Sequence, residues 1–106
     1  MKFREVSNDP GTYIFYCPGC KMLHHVITRG PERPNWQFNG DVVNPTVSPS
    51  LLVRYPWWQG AVKFDRVCHS FIREGNIQFL TDCTHELAGR TVPLPDVDTA
   101  GENTED

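Results

Sequence analysis

Long hydrophobic runs are missing from this sequence: none of its 106 residues belongs to a stretch approaching the ~20 consecutive apolar residues of a membrane-spanning helix. The N-terminal MKFREVSNDPG carries charges where a secretory leader would need an apolar core, so a cytoplasmic location and no membrane partner are expected. Internal repeats are absent, and so is any basic cluster: Arg29, Arg33, Arg54, Lys63, Arg66 and Arg73 are scattered. That dispersal argues against binding a phosphate backbone. Bases are missing altogether from the last eleven residues, which hold five of the thirteen acids and leave the other 95 residues with a net charge of +2. DVDTAGENTED has too little apolar surface to offset the entropy of ordering it, so 1–95 is expected as the domain and 96–106 as a disordered acidic tail.

What is present points to strands. Nine prolines and eight glycines break the chain into short apolar runs. Segments 12–16 (TYIFY) and 25–28 (HVIT) read as a hairpin, with Cys17-Pro-Gly-Cys20 at its turn and Gly19 supplying a permissive backbone. After the proline-interrupted loop RGPERPN, a short strand is expected at 36–38 before the Asn39-Gly40 turn. The prolines at 45 and 49 suit NPTVSPSLLV to an edge or a bulge, and YPWWQG reads as a loop. Segments 67–73 and 77–80 form the clearest hairpin, and 91–94 a last strand. Residues 82–89 are predicted to form one or two helical turns between an Asp82 N-cap and Gly89. The fold class is therefore mainly β: a small single domain of short antiparallel strands and hairpins, with a zinc knuckle and at most one short helix.

A domain this small with this much Pro and Gly benefits from a staple. In a reducing compartment the four cysteines suit Zn2+ better than disulfides. Cys17 and Cys20 are half of a tetrahedral site. A thioredoxin-like role would need the motif at a helix N-terminus, and here it lies between strands. The remaining ligands come from Cys68, His69, Cys83 and His85, with His24 and His25 as local alternatives. Cys68 is the best single choice. Neighbouring strand residues face opposite sides, so Cys68 and His69 could both bind one ion only at a bulge. The fourth ligand stays open between His69, His85 and Cys83.

Thiolate-rich sites are usually closed and structural, and no nucleophile–base pair stands at a readable spacing, so the balance is against an enzyme. Trp57 and Trp58 offer either core cover or a contact surface. The leading expectation is a zinc-stabilised protein-binding module. One rival is a small zinc hydrolase using His85 or His24 with Asp82. Another is single-stranded nucleic-acid binding, which the charge distribution makes the minor one.

CPGCKMLHHVI (17–27), the W-x-F-N-G-D turn (36–41), NPTVSPSLL (44–52), CHSFIREGNIQFLTDCTHELAG (68–89) and TVPLP (91–95) together resemble a domain-of-unknown-function family of tailed bacteriophages and prophages. The resemblance implies a metal-binding β-rich fold, with Cys17, Cys20, Cys68 and His69 at positions where similar proteins carry Cys, Cys, Cys and His. More distant bacterial relatives space the last pair as C-x-x-H, whereas here the two are adjacent. Some distant relatives lie beside ubiquitin-like conjugation genes, implying an adaptor or regulatory role. The partner expected from the resemblance is a host or phage protein, met in the host cytoplasm if the chain is phage-encoded.

Overall fold

A computed structural model describes residues 1–31 and 35–100. Part of the RGPERPN loop and residues 101–106 lie outside the described residues. The architecture is mainly β, built from two antiparallel sheets. Strands β1 (Arg4–Glu5), β2 (Thr12–Cys17) and β3 (Met22–Ile27) form the first, in that order. Strands β4 (Gln37–Phe38), β5 (Val47–Gln59), β6 (Val62–Arg73), β7 (Asn76–Phe79) and β8 (Thr91–Pro93) form the second, also in sequence order. A single helical turn, α1 (Val97–Ala100), follows.

The two sheets share one core, because aromatic and β-branched side chains from both point inward. Phe3 stacks on Phe15 of β2 at 5.6 Å between ring centroids and meets Phe38 of β4 at 5.4 Å, so one ring bridges the sheets. Val26, Val47, Leu51, Ile72, Ile77, Phe79 and Leu94 join the same buried cluster, together with Cys17, Cys68 and Cys83. Each such side chain contributes on the order of 1.5–3 kcal/mol when removed from water.

Turn chemistry sets the register. Arg73 pairs with Asn76 across Glu74-Gly75, whose φ values of 49° and 82° are the two positive angles that a two-residue hairpin turn of matching twist requires. The β5–β6 hairpin is much longer than expected. YPWWQG is not a loop but the outer part of β5, paired with β6 as far as Gln59↔Val62. Pro56 is accommodated because only the two-residue β4 lies on the far side of β5, and it pairs at Val47 and Ser48 alone.

A bulge interrupts β5 between Val47 and Leu51, in the segment whose prolines suited an edge or a bulge. Four residue steps from Val47 to Leu51 face two steps from Ile72 to Ser70 on β6. The even surplus keeps Val47 and Leu51 on the core side and pushes residues 48–50 out of the ladder.

Residues 82–89 do not form a helix. The segment is a run of turns, with Ala88 N–H donating to His85 O and Arg90 N–H to Leu87 O. Within 96–106, the described residues 96–100 are held down. Val97 is buried and donates its N–H to Met1 O, and the Met1 amino group meets the Asp96 carboxylate at 3.0 Å.

Candidate functional site

Two polar constellations occupy opposite faces of β6 at the dipeptide Cys68-His69. The inner one begins at the β2–β3 hairpin. Cys17 ends β2, and the chain turns through Pro18 and Gly19 so that Cys20 N–H donates to Cys17 Sγ (3.3 Å) and Lys21 N–H to Cys17 O (2.7 Å). Lys21, not Gly19, takes the left-handed φ of 60°. Gly19 is needed for space instead: a Cβ there would lie 2.3 Å from Cε1 and 2.4 Å from Nε2 of His85.

Cys68 reaches the same point from β6 and His85 from the turn segment. The donor atoms of Cys17, Cys20, Cys68 and His85 all lie within 4.8 Å of one another. The Cys17 and Cys68 sulfurs are 3.8 Å apart, which matches the ~3.8 Å edge of a tetrahedron with metal–sulfur bonds of about 2.3 Å.

The electrostatics call for a cation. Hydrogen bonding from Cys17 and then Cys68 holds the Cys20 thiol far below its ordinary range. The same crowding by Cys17 and Cys20, together with burial, drives Cys68 far above it. Three thiolates this close cannot all ionise without a positive centre. Burial lowers the His85 pKa, so the ring is neutral, as a ligand must be. Its Nε2 is buried with no hydrogen-bond partner, while Leu87 N–H points at Nδ1 from 3.2 Å. Three sulfurs and one nitrogen, one of them orphaned, fit a metal ion with four protein ligands and no open position.

Of the six residues singled out as ligands, the structure brings together Cys17, Cys20, Cys68 and His85. His69 and Cys83 lie outside that group. His24 is buried beside it: burial lowers its pKa, but the Cys17 and Cys20 thiolates more than offset this and raise it to about 9. His25 alternates to the exposed side of β3. Cys83 grips the backbone of its neighbour strand, donating S–H to His69 O and accepting His69 N–H, both at 3.2 Å. Burial raises its pKa, so it stays a thiol.

On the outer face of β6, His69 stands between two partners. Its Nδ1 lies 3.0 Å from Asp82 Oδ2, and its Nε2 lies 3.0 Å from Ser50 Oγ. An ionised carboxylate only accepts, so Nδ1 carries the proton and Nε2 offers its lone pair to the serine hydroxyl. Ser50 comes from the β5 bulge, His69 from β6 and Asp82 from the turn segment. Trp36 Nε1–H donates to Ser50 O (3.2 Å) and steadies the bulge. This is the geometry of a Ser-His-Asp triad, in which each residue has the reach its role requires. A cavity of about 450 Å3 lined by His69, Gln78, Leu80, Thr81, Asp82 and Gly89 opens beside it.

Ser50 was not among the candidates read from the sequence. Nothing local marks it, since the three residues are 19 and 13 positions apart. The one available signal was the proline spacing of NPTVSPSLLV, which suited an edge or a bulge, and bulges re-aim side chains at sites. No nucleophile–base pair stands at a readable spacing in the sequence; the β5–β6 pairing brings Ser50 Oγ within 3.0 Å of His69 Nε2 across 19 positions. Asp82, which the rival zinc-hydrolase reading set beside the metal, lies 3.0 Å from His69 instead.

No curated protein and no solved structure matches the chain. A family model matches residues 2–80, which include Ser50, His69 and the three metal-facing cysteines and stop two residues short of Asp82. The chain thus belongs to the BubE family, described as bacterial ubiquitination-like system serine protease.

Proposed function

We propose that the chain is a small serine hydrolase that cleaves acyl bonds in a bacterial ubiquitination-like system, with a structural zinc ion as its internal staple. The observation that carries this reading is the relay of two 3.0 Å contacts from Ser50 Oγ through His69 to Asp82. The metal-dependent hydrolase is disfavoured, because four protein donors surround the candidate ion and leave no position for water.

The chemistry follows from the geometry. Ser50 Oγ attacks a carbonyl carbon as its proton passes to His69 Nε2. Asp82 holds the imidazole through Nδ1–H and stabilises the imidazolium. Collapse breaks the bond to the leaving nitrogen or oxygen, which takes the proton from His69 and leaves an acyl-Ser50 ester. Water, deprotonated by the same nitrogen, then releases the acid. Zinc is preferred among metals because three thiolates and an imidazole form one of its usual structural donor sets.

The protein-binding role fits the same molecule. Leu52 pairs with His69 across the ladder, and Trp58 lies six residues further along the same face of β5. Both side chains are exposed, so the face that carries the triad continues into an apolar arm on which a protein substrate can lie. The phage or prophage setting implied by the resemblance would make that substrate a host or phage protein.

A fluorophosphonate probe, whose phosphorus takes the Ser50 oxygen as fluoride leaves, tests the reading. Labelling at Ser50 in the unaltered protein, lost in Ser50→Ala and His69→Ala variants that retain their strands, is the expected result. A folded, metal-loaded protein that resists the probe would sink it.

A further inference from the structure

We infer that the metal centre is the positioning device of the triad: His85 tethers the segment that carries Asp82, and Cys68 anchors the strand that carries His69. This rests on the triad reading but goes beyond it, since a staple of the fold need not have anything to do with the reacting groups.

The argument starts from what holds Asp82 in place. It sits in the stretch between β7 and β8, which among the described residues contains turns and no regular element. A side chain on such a segment is held only as well as the segment is tied down. Hydrogen bonds to β6 flank it: Leu80 N–H donates to His69 O (2.9 Å), the Cys83 thiol bonds both backbone groups of His69, Thr84 bonds Val67 through its N–H (3.0 Å) and its hydroxyl, and His85 joins the candidate metal cluster. Each of these hydrogen bonds is worth little net once water competes. A bond from His85 to the ion would add a coordinate tie three residues from Asp82. The Asp82 carboxylate is itself more than half exposed, so its own surroundings do little to hold it.

The His69 side is fixed through the same ion. Cys68 is its direct chain neighbour and faces the metal while His69 faces Ser50, because strand side chains alternate. A single ion therefore sets the spacing between the strand of the base and the segment of its orienting acid. Gly19 has no Cβ so that the His85 ring can reach that ion. His85 and Cys68 act as positioning residues, because neither touches Ser50 or a substrate.

The test is a His85→Ala variant of the full chain, chosen because Cys17, Cys20 and Cys68 remain to keep the metal. Three readouts are compared with the unaltered protein: metal content by elemental analysis, strand content by circular dichroism, and the low-field proton NMR signal of the His69–Asp82 hydrogen bond. The rate of fluorophosphonate labelling at Ser50 is the fourth. Expected are retained strands, retained metal, loss of the low-field proton, and labelling slowed by roughly 100-fold, the scale of an ångström-sized misplacement of a catalytic group. An unchanged low-field proton and unchanged labelling would overturn the inference and leave the metal as a staple only. If His85→Ala also loses its metal, chelation of the unaltered protein decides. Disappearance of the low-field proton before the strand signal supports positioning, whereas simultaneous loss of both overturns it. Were the unaltered protein not labelled at all, the hydrolase reading would fail, yet the metal dependence of the low-field proton would still be measurable.

Discussion

The two faces of β6 at Cys68-His69 use the same strand for opposite purposes. Inward, Cys68 is almost wholly buried, and the donor atoms of Cys17, Cys20, Cys68 and His85 lie within 4.8 Å of one another. Outward, His69 and Asp82 keep about a quarter and a half of their side-chain surface exposed, and Ser50 is partly exposed. Crowding of the buried thiols calls for a cation, while the exposure of the outer face is what the proposed hydrolase needs. The difference teaches that adjacent residues in one motif need not serve one site, because a strand divides them by construction. The largest expected effects set the faces apart. Cys68→Ser removes a ligand and leaves the other thiolates uncompensated. Structural zinc sites are worth about 10 kcal/mol or more and small domains are stable by only about 5–15 kcal/mol, so this variant should melt at or below room temperature. Ser50→Ala should lower hydrolysis by about 10⁶-fold while moving stability by no more than about 0.5 kcal/mol. Thermal melts beside probe labelling would break the comparison if the two variants behaved alike.

Asp82→Asn sharpens it further. The amide can present its NH2 or its oxygen to Nδ1, so the imidazole loses its fixed tautomer and the partner for its positive form. In buried triads the loss is about 10⁴-fold in kcat. Asp82 is exposed enough for water to share that duty, so a smaller loss is expected, with unchanged metal content and melting temperature. A loss confined to KM would contradict the assignment.

On the metal face, Gly19→Ala places a Cβ where the His85 ring lies and should weaken metal binding by roughly 10–100-fold, as disturbed supporting residues do. The pH dependence has a definite sign. Cys68 is pushed up, so in the metal-free protein it keeps its proton through the neutral range, and metal uptake must expel it. His85 is pushed down and costs no proton there. Affinity should therefore fall as pH falls, roughly tenfold per pH unit for each proton displaced. Calorimetry in buffers of differing ionisation enthalpy counts those protons, and a count of zero would contradict the thiol as their source.

How far the sequence discloses all this depends on range. Cys17-Pro-Gly-Cys20 was legible because its geometry is made within one turn, and Cys68 because few cysteines remain. The strand alternation that separates Cys68 from His69 could be argued from the chain, but the choice among His69, His85 and Cys83 could not. His85 arrives through an irregular segment that closes onto Gly19. Residues 82–89 carry the cap and stop of a helix, yet the cap carboxylate is engaged by His69 and the backbone folds back on β6. Ser50 was illegible for the same reason: only the surplus residues in β5 lift it opposite His69, and a count of residues between prolines does not reveal where pairing resumes. YPWWQG looked like a loop because a proline among aromatics resembles surface punctuation. An open-edged outer strand tolerates the same residues.

The smallest effect concerns that outer strand, where the two faces can be compared by neighbouring tryptophans. Trp58 lies on the triad's face, pairs with Lys63 and is more than half exposed. Trp57 lies on the metal's face, with the Arg66 guanidinium 5.3 Å from its ring centroid, and lines a cavity with Cys20 and His85. If the triad's face guides a protein substrate past Ser50, Trp58→Ala should raise KM for that substrate by about tenfold, the scale of losing one exposed anchor. Hydrolysis of a small activated ester, which reaches Ser50 without the arm, should not change. Trp57→Ala should leave both substrates alike. An equal effect from the two tryptophans would mean that the arm works as a unit, or not at all, and that the division drawn at Cys68-His69 does not extend along the strand to its tip.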